Sequence, residues 1–189
     1  MVNNVSSVYD SIADTYDQKY VEGEDNPYME DEAYVADVWK KLDLPTGRIL
    51  SLGCGTGQDV EILGYPDPEK YLGIDVSPKM LERARLKFGR DGYVFKLADV
   101  ADLECPFMYR IDCDILVAMF GVPNYITLER LSELYEVVGA EHGFFVFYNE
   151  EYRDGISDHY NFSIDQIRQT FKHHNPFFEE FSNYVVCAW

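Results

Sequence analysis

Two apolar patterns alternate from residue 48 onward. Short, nearly continuous apolar runs occur at "RILSLG" (48–53), "KYLGID" (70–75), "YVFKLAD" (93–99), "CDILVAMFG" (113–121) and "GFFVFYN" (143–149). Runs of this length and density predict strands covered on both faces. Between them, apolar residues recur at helical spacing. Met80, Leu81, Ala84 and Phe88 form one stripe, Leu128, Leu131, Leu134, Tyr135 and Val138 another, and Ile164, Ile167 and Phe171 a third. Alternating strands and helices predict a mostly parallel sheet with helices on both faces. The last two runs, "FFEEFS" (177–182) and "NYVVCAW" (183–189), are contiguous. So short a connection permits only an antiparallel hairpin, giving seven strands in all.

Ahead of the first strand the pattern predicts two helices, "SVYDSIADTYDQKY" (7–20) and "YMEDEAYVADVWKKL" (28–42), the second carrying Val35, Val38, Trp39 and Leu42 on one face. The intervening "VEGEDNPY" (21–28) contains the breakers Gly23 and Asn26-Pro27. No repeat or low-complexity tract interrupts the 189 residues, a length that suits one domain. The expected division is 1–45 for the helical segment and 46–189 for the core.

Composition narrows the function. Acids outnumber bases 34 to 16, for a net charge of -18. A protein that grips phosphate backbones needs clustered Lys and Arg, and an anionic membrane asks the same, so neither nucleic acid nor a membrane surface is expected as a partner. The apolar run "ILVAMFGV" (115–122) is too short to span a bilayer, and "MVNNVSSVYDS" has neither the basic start nor the apolar core of an export signal. A cytoplasmic protein is expected. Cys54, Cys105, Cys113 and Cys187 are scattered without a Cys-x-x-Cys pair, so reduced thiols are expected and no metal site is signalled.

The chemistry concentrates at "LGCGTGQD" (52–59), where Gly53, Gly55 and Gly57 follow the first predicted strand directly. Three glycines at alternate positions suggest close approach to the main chain, at the sheet edge where open α/β folds bind ligands. Asp75 ends the second predicted strand, where an acid commonly accepts hydrogen bonds from ribose hydroxyls. These two features suit both nicotinamide dinucleotides and S-adenosylmethionine. The glycine spacing separates them, because the dinucleotide fingerprint is Gly-x-Gly-x-x-Gly and position 58 here is Gln.

The succession "ILSLGCGTG", "YLGIDVSPKMLERAR", "FKLADVADL" and "DILVAMFGVPNYIT" resembles the signature regions of class I S-adenosylmethionine-dependent methyltransferases, and "YDSIADTYDQKY" is similar to the helical lid of small-molecule members. The resemblance implies a Rossmann-like, mostly parallel seven-stranded sheet with an antiparallel C-terminal hairpin. It also implies that Gly53, Gly55 and Gly57 line the methionyl part of the cofactor. Asp75, with Val76 beside it, would hold the ribose, Asp99 the adenine amino group, and Val100 the adenine edge through its amide. Met119 and Phe120 would flank the adenosine and sulfonium, and Tyr9 and Tyr16 would close over the cofactor. Asp99 has a second reading as the cap of the turn that follows it, and Tyr9 and Tyr16 as core contacts.

One departure stands out: family members usually carry an acid two residues before the first glycine, where this chain has Ser51. Asp59 is the candidate to compensate. Methyl transfer from a sulfonium can rest on alignment alone, and a base is needed only for a protonated nucleophile. The candidates for that are His159, Tyr160, Tyr148 and Glu150, with His159 foremost. "FGVPNYIT" lacks the Asn/Asp-Pro-Pro-aromatic tetrad that grips an extruded base. The expected activity is therefore methyl transfer to a small molecule. A non-catalytic cofactor-binding module and a nicotinamide-dependent oxidoreductase are the alternatives. From Asp10 to Asp37 ten acids face one base, Lys19, and from Asn149 to Asp165 five acids accompany Arg153. If that field reaches the pocket, the acceptor is neutral or amine-bearing; the alternative is a solvated surface.

Overall fold

All seven apolar runs are strands of one sheet. The computed structural model describes residues 5–20, 29–102, 111–152 and 158–189. The elements follow in the order α1 (Val5–Tyr20), α2 (Met29–Leu42), β1 (Ile49–Leu52), α3 (Gln58–Ile62), β2 (Tyr71–Asp75), α4 (Pro78–Phe88), β3 (Val94–Leu97), β4 (Ile115–Ala118), α5 (Leu128–Val137), β5 (His142–Tyr148), α6 (Ile164–Phe171), β6 (Phe177–Phe181) and β7 (Tyr184–Ala188). The strand order is β3-β2-β1-β4-β5-β7-β6. The first five strands pair in parallel, and β7 pairs antiparallel with both β5 and β6.

The apolar runs of β1, β2, β4 and β5 are explained by a core on each side of the sheet, since alternate strand residues point to opposite faces; β3, at the sheet edge, departs from the expectation of cover on both faces, with Phe95 buried but Val94 and Leu97 exposed. Ile49, Ile115, Val117, Phe144 and Val146 join Val35 and Val38 of α2, Val60 of α3, and Leu81, Ala84 and Phe88 of α4 in one core. Leu50, Leu52, Leu116, Phe145 and Phe147 join Leu131 and Leu134 of α5 and Ile167 and Phe171 of α6 in the other. The helix starts have local causes. Ser77 caps α4 at the Met80 amide with Pro78 next to it, Thr127 caps α5 at Arg130, and Ser163 forms a capping box with Gln166 on α6.

This order places the topological switch between β1 and β4, where the chain leaves β1 toward β2 and later returns to the other side. Cys54, Cys113 and Cys187 are buried free thiols, whereas Cys105 lies outside the described residues. Among the described residues no helix is long and apolar enough to cross a membrane.

Candidate active site

At the carboxyl ends of β1, β2 and β4 lies a cavity of about 360 Å³, roofed by α1. Its floor is the turn after β1. Gly53, Gly55 and Gly57 all take positive φ, at 62°, 53° and 86°. They do different work. A Cβ on Gly55 would meet nothing within 4 Å, so this glycine presents open main chain to the cavity. A Cβ on Gly57 would stand 2.8 Å from the Phe88 ring and 3.3 Å from Ala84, and Gly57 is not part of the cavity wall. Its bareness therefore serves the packing of α4, which corrects the expectation that all three glycines line the ligand. Gly53 lines the cavity but also backs onto Val122, whose methyls would lie 2.6 Å from an added Cβ.

Asp75 holds this turn in shape. One carboxylate oxygen accepts from the Gly55 amide at 2.9 Å and the other from the Ser77 amide at 2.8 Å. Burial raises its carboxyl to about 6, against the lowering effect of those amide bonds. Asp75 and Val76 both line the cavity. Asp59 lines it from α3: its Oδ2 accepts from the Tyr71 hydroxyl at 2.5 Å, while its Oδ1 is buried with no hydrogen-bond partner. Burial raises this carboxyl to about 6 as well, partly offset by the Ser51 and Tyr71 hydroxyls.

Asp99 and Val100 border the cavity beyond β3. Asp99 also accepts from the Ala101 amide at 2.9 Å, so turn capping and cavity lining coexist in one side chain. Met119 and Phe120 enter from the end of β4, and Phe120 takes φ 50°, a costly conformation for a non-glycine residue. The bend is completed by Gly121 at φ 80°, pressed against the Tyr148 ring. Tyr9 and Tyr16 close the cavity from α1. The Tyr9 and Tyr125 hydroxyls meet at 3.0 Å, and burial pushes the Tyr16 hydroxyl well above its ordinary value.

His159 is placed differently from expectation. It packs against Tyr148 and Tyr125, with ring centroids 5.0 and 6.1 Å away, and Nε2 lies 3.4 Å from the Tyr152 carbonyl oxygen. It is not in the cavity wall, so its contact with the cavity runs through Tyr125. Tyr148, Glu150 and Tyr160 are also outside the wall.

Sequence reasoning missed three supports. Asn124, fully buried, donates to the Tyr160 carbonyl and accepts from the Tyr148 amide, tying residues 160 and 148 together beside the cavity. Arg130 donates to the carbonyls of Val100 and Asp102 and so fixes the turn that carries Asp99. Most extensive is the seam between α1 and α4. Asp10 accepts from the Ser77 hydroxyl at 2.6 Å, Asp14 pairs with Arg83 at 2.7 Å, and Asp17 pairs with Lys87 at 2.6 Å while accepting from Thr56 at 2.6 Å. These acids were expected at an open mouth; they instead dock the helix. Glu22, Glu24, Asp25 and Arg153 lie outside the described residues.

The seven-stranded sheet with its reversed last hairpin and a cavity at the switch point define a Rossmann-like fold of the methyltransferase class. Residues 49–140 match the model of the methyltransferase domain family. It is 30% identical over 142 residues to a demethylmenaquinone methyltransferase of Bacteroides fragilis, covering 71% of this chain and 55% of that protein. It is 29% identical over 118 residues to the 27-O-demethylrifamycin SV methyltransferase of Amycolatopsis mediterranei, covering 55% and 43%. A trans-aconitate 2-methyltransferase of Methylobacterium nodulans is 41% identical over 71 residues, covering 36% and 27%. The chain thus spans about half or less of the length of these relatives. Among solved structures, magnesium protoporphyrin IX methyltransferase from Synechocystis PCC 6803 with bound SAH superposes with a TM-score of 0.68 at 17% identity, covering 97% of this chain and 96% of that one. The DhpI-SAH complex gives 0.69 at 19%, covering 96% and 92%. At these identities the likeness shows the fold.

Proposed function

We propose that the chain is an S-adenosylmethionine-dependent methyltransferase acting on a neutral or amine-bearing small molecule. The observation that carries this reading is the charge of the cavity wall. Asp59, Asp75 and Asp99 line it, and among the described residues no Lys, Arg or His does. A ligand with two cationic centres, the sulfonium and the ammonium, suits such a wall, whereas a dinucleotide would bring two phosphate charges to three carboxylates.

In this reading Gly53 and Gly55 bind the methionyl end through main chain, Asp75 takes the ribose hydroxyls, Val76 flanks them, and Asp99 and the Val100 amide receive the adenine. Met119 and Phe120 border the reacting sulfur, with Tyr9 and Tyr16 of α1 above as the lid, in a single domain whose residues 1–45 comprise the lid and first helix and 46–189 the cofactor-binding core. S-adenosylmethionine supplies, when bound, a methyl group activated by the sulfonium. What remains for the chain is to align the acceptor and exclude water, which the aromatic roof and the buried floor suit. Tyr16 is a poor base, since its raised pKa keeps the hydroxyl protonated. An acceptor that arrives neutral and nucleophilic needs no base at all.

An anionic acceptor would find no counter-charge among the described lining residues, and this favours amines and neutral compounds. The wall acids are internal, so the preference should depend little on salt. The test begins with thermal unfolding in the presence of S-adenosylhomocysteine or NAD, because a ligand at about 100 times its Kd stabilises by about 2.7 kcal/mol. Stabilisation by NAD alone would overturn the reading. Matched amines, phenols, carboxylates and phosphate esters are then screened for S-adenosylhomocysteine formation at low and high salt. Preference for a carboxylate or phosphate ester would refute the acceptor class, and stabilisation without single-turnover transfer to cell extract would identify a non-catalytic binding module.

A further inference from the structure

Besides its carboxylates the described cavity wall carries four aromatic rings, those of Tyr9, Tyr16, Phe120 and Tyr125. Three of them belong to a longer arc that leaves the wall and returns to it. Its ring contacts run from Tyr9 to Tyr125 at 6.1 Å, on to His159 at 6.1 Å, to Tyr148 at 5.0 Å, to Tyr184 at 5.7 Å and back to Phe120 at 5.4 Å. The backbone is bent at a cost to hold this arc: Phe120 takes φ 50°, and Gly121, at φ 80°, leaves room for the Tyr148 ring. Asn124, next to Tyr125 and fully buried, accepts from the Tyr148 amide at 2.8 Å and so fixes one ring's backbone against the other's. Packing alone would be met by Phe or Leu at 9 and 125. Both are tyrosines instead, their hydroxyls 3.0 Å apart and their rings at 89°, which makes a right-angled corner between α1 and the segment after β4. The wall is also poor in bases. Among the described residues it holds no Lys, Arg or His, burial keeps the Cys54 thiol and the Tyr16 hydroxyl protonated, and Asp59 and Asp75, raised to about 6, are still weak bases toward a phenol or thiol.

We propose that the corner formed by Tyr9, Tyr125 and Phe120 is the acceptor site and that it takes a secondary or tertiary alkylamine, holding the nitrogen against ring faces. This inference rests on the methyltransferase reading above and narrows its acceptor class. In such a transfer the nitrogen lone pair forms the bond to the methyl carbon while the electron pair of the breaking C–S bond stays on sulfur, so the acceptor enters neutral and leaves as an ammonium. A tertiary amine has no proton to lose, and a secondary one loses its proton to water only afterwards, which suits a wall without a strong base. Ring faces attract the positive charge as it forms on nitrogen, by an interaction that strengthens where water is excluded. The rings outside the wall, those of His159, Tyr148 and Tyr184, position the corner from behind.

Calorimetry on the chain saturated with S-adenosylhomocysteine uses two probes of one shape: choline, which carries a quaternary ammonium, and 3,3-dimethyl-1-butanol, its uncharged counterpart. The wild type should bind choline at least about five-fold more tightly than the alcohol. Tyr125→Phe keeps the ring and should hold that ratio within about two-fold, whereas Tyr125→Leu should bring it close to one while S-adenosylhomocysteine still binds. A ratio unchanged in Tyr125→Leu would overturn the proposal, because the wall carboxylates, which that variant retains, would then account for the preference. A wild type that binds S-adenosylhomocysteine but takes neither probe, or both equally, overturns it as well. If Tyr125→Leu fails to fold, Tyr9→Leu makes the same comparison from the other side of the corner. Failure of the wild type to bind S-adenosylhomocysteine at all would instead sink the cofactor reading, and this inference with it.

Discussion

Removing the ion pair between Asp17 and Lys87 should loosen α1 from the rest of the protein by an amount that a double-mutant cycle can measure. The two charges lie 2.6 Å apart with side chains only 15% and 26% exposed, and Thr56, in the turn that floors the cavity, donates to the same carboxylate at 2.6 Å. Exposed pairs contribute about 0.2 to 1 kcal/mol, which is the expectation for Asp14–Arg83, where Asp14 is 82% exposed. The partly buried pair should exceed that range, because hydrogen bonds to charged groups contribute about 1.5 to 3 kcal/mol and water competes less. Part of this is offset by desolvation, so we expect a coupling energy of about 1 to 1.5 kcal/mol between Asp17→Asn and Lys87→Met. Urea unfolding of the wild type, the two single variants and the double variant gives the value directly. Repeating it in about 1 M salt, where the screening length falls to about 3 Å, should reduce the coupling without abolishing it. A coupling below about 0.3 kcal/mol at low salt would show that the seam is surface decoration and that α1 is held by its apolar contacts.

Two further outcomes follow from the buried carboxylates and the glycines. Asp59 and Asp75 both sit near pKa 6, above the unfolded value, so between about pH 4 and 6 the native state holds more protons than the unfolded chain and stability falls as pH rises. Each group costs at most about 3 kcal/mol once fully ionised. Denaturant unfolding without ligand should therefore show a less stable wild type at pH 7.5 than at pH 5, with a shallower difference in Asp59→Asn; parallel pH dependences would contradict the assignment. Gly55→Val should lose S-adenosylhomocysteine binding, because its side chain would stand in the open cavity, at a stability cost of about 1 to 3 kcal/mol for a branched residue at φ 53°. Gly57→Ala should instead lose stability, through its collision with Phe88, and keep binding. Thermal unfolding with and without ligand separates the two, and the reverse assignment would refute the division of labour among the glycines.

That division was not legible in the sequence, for a physical reason. Gly55 and Gly57 occupy equivalent places in an alternating motif and both take positive φ, so the local pattern cannot say which one faces a ligand. The difference comes from Phe88, at the far end of α4, which closes the space over Gly57 and leaves that over Gly55 open. Asp59 is similar, because its orphan oxygen depends on Tyr71 taking the other one from a different strand. The sheet was legible because strand patterning is local. β1, β2, β4 and β5 were legible because each faces two cores, β3 at the sheet edge leaves Val94 and Leu97 exposed, and the abrupt "FFEEFS"–"NYVVCAW" junction left no room for a crossover. Asn124 and Arg130 carried no signal of this kind, since their partners are main-chain atoms more than twenty positions away.

The α1 acids show where a charge count misleads. Asp10, Asp14 and Asp17 fall at i, i+4 and i+7, the spacing of one helix face, and Arg83 and Lys87 fall at i and i+4 on α4. Each half of the seam was visible, but nothing local joins helices more than fifty residues apart in the chain. Summed as net charge, these acids suggest a field at an open mouth. Asp14 and Asp17 are paired with Arg83 and Lys87, and Asp10 bonds to the start of α4, so all three hold α1 over the cavity; of their charges, that of Asp10 reaches the wall, where it helps raise the Asp75 carboxyl. The negative character left to the site is that of Asp59, Asp75 and Asp99, which are in the wall itself. On the proposed reading, ligand charge is selected by contact inside the cavity more than by steering from the surface. A helix held by ionic contacts along its length also has a natural way to release and re-form, since each contact it loses can be replaced by water. The same acids that made the sequence look like a funnel for cations thus serve the roof, and the proposed preference for neutral or amine-bearing acceptors rests on the wall instead.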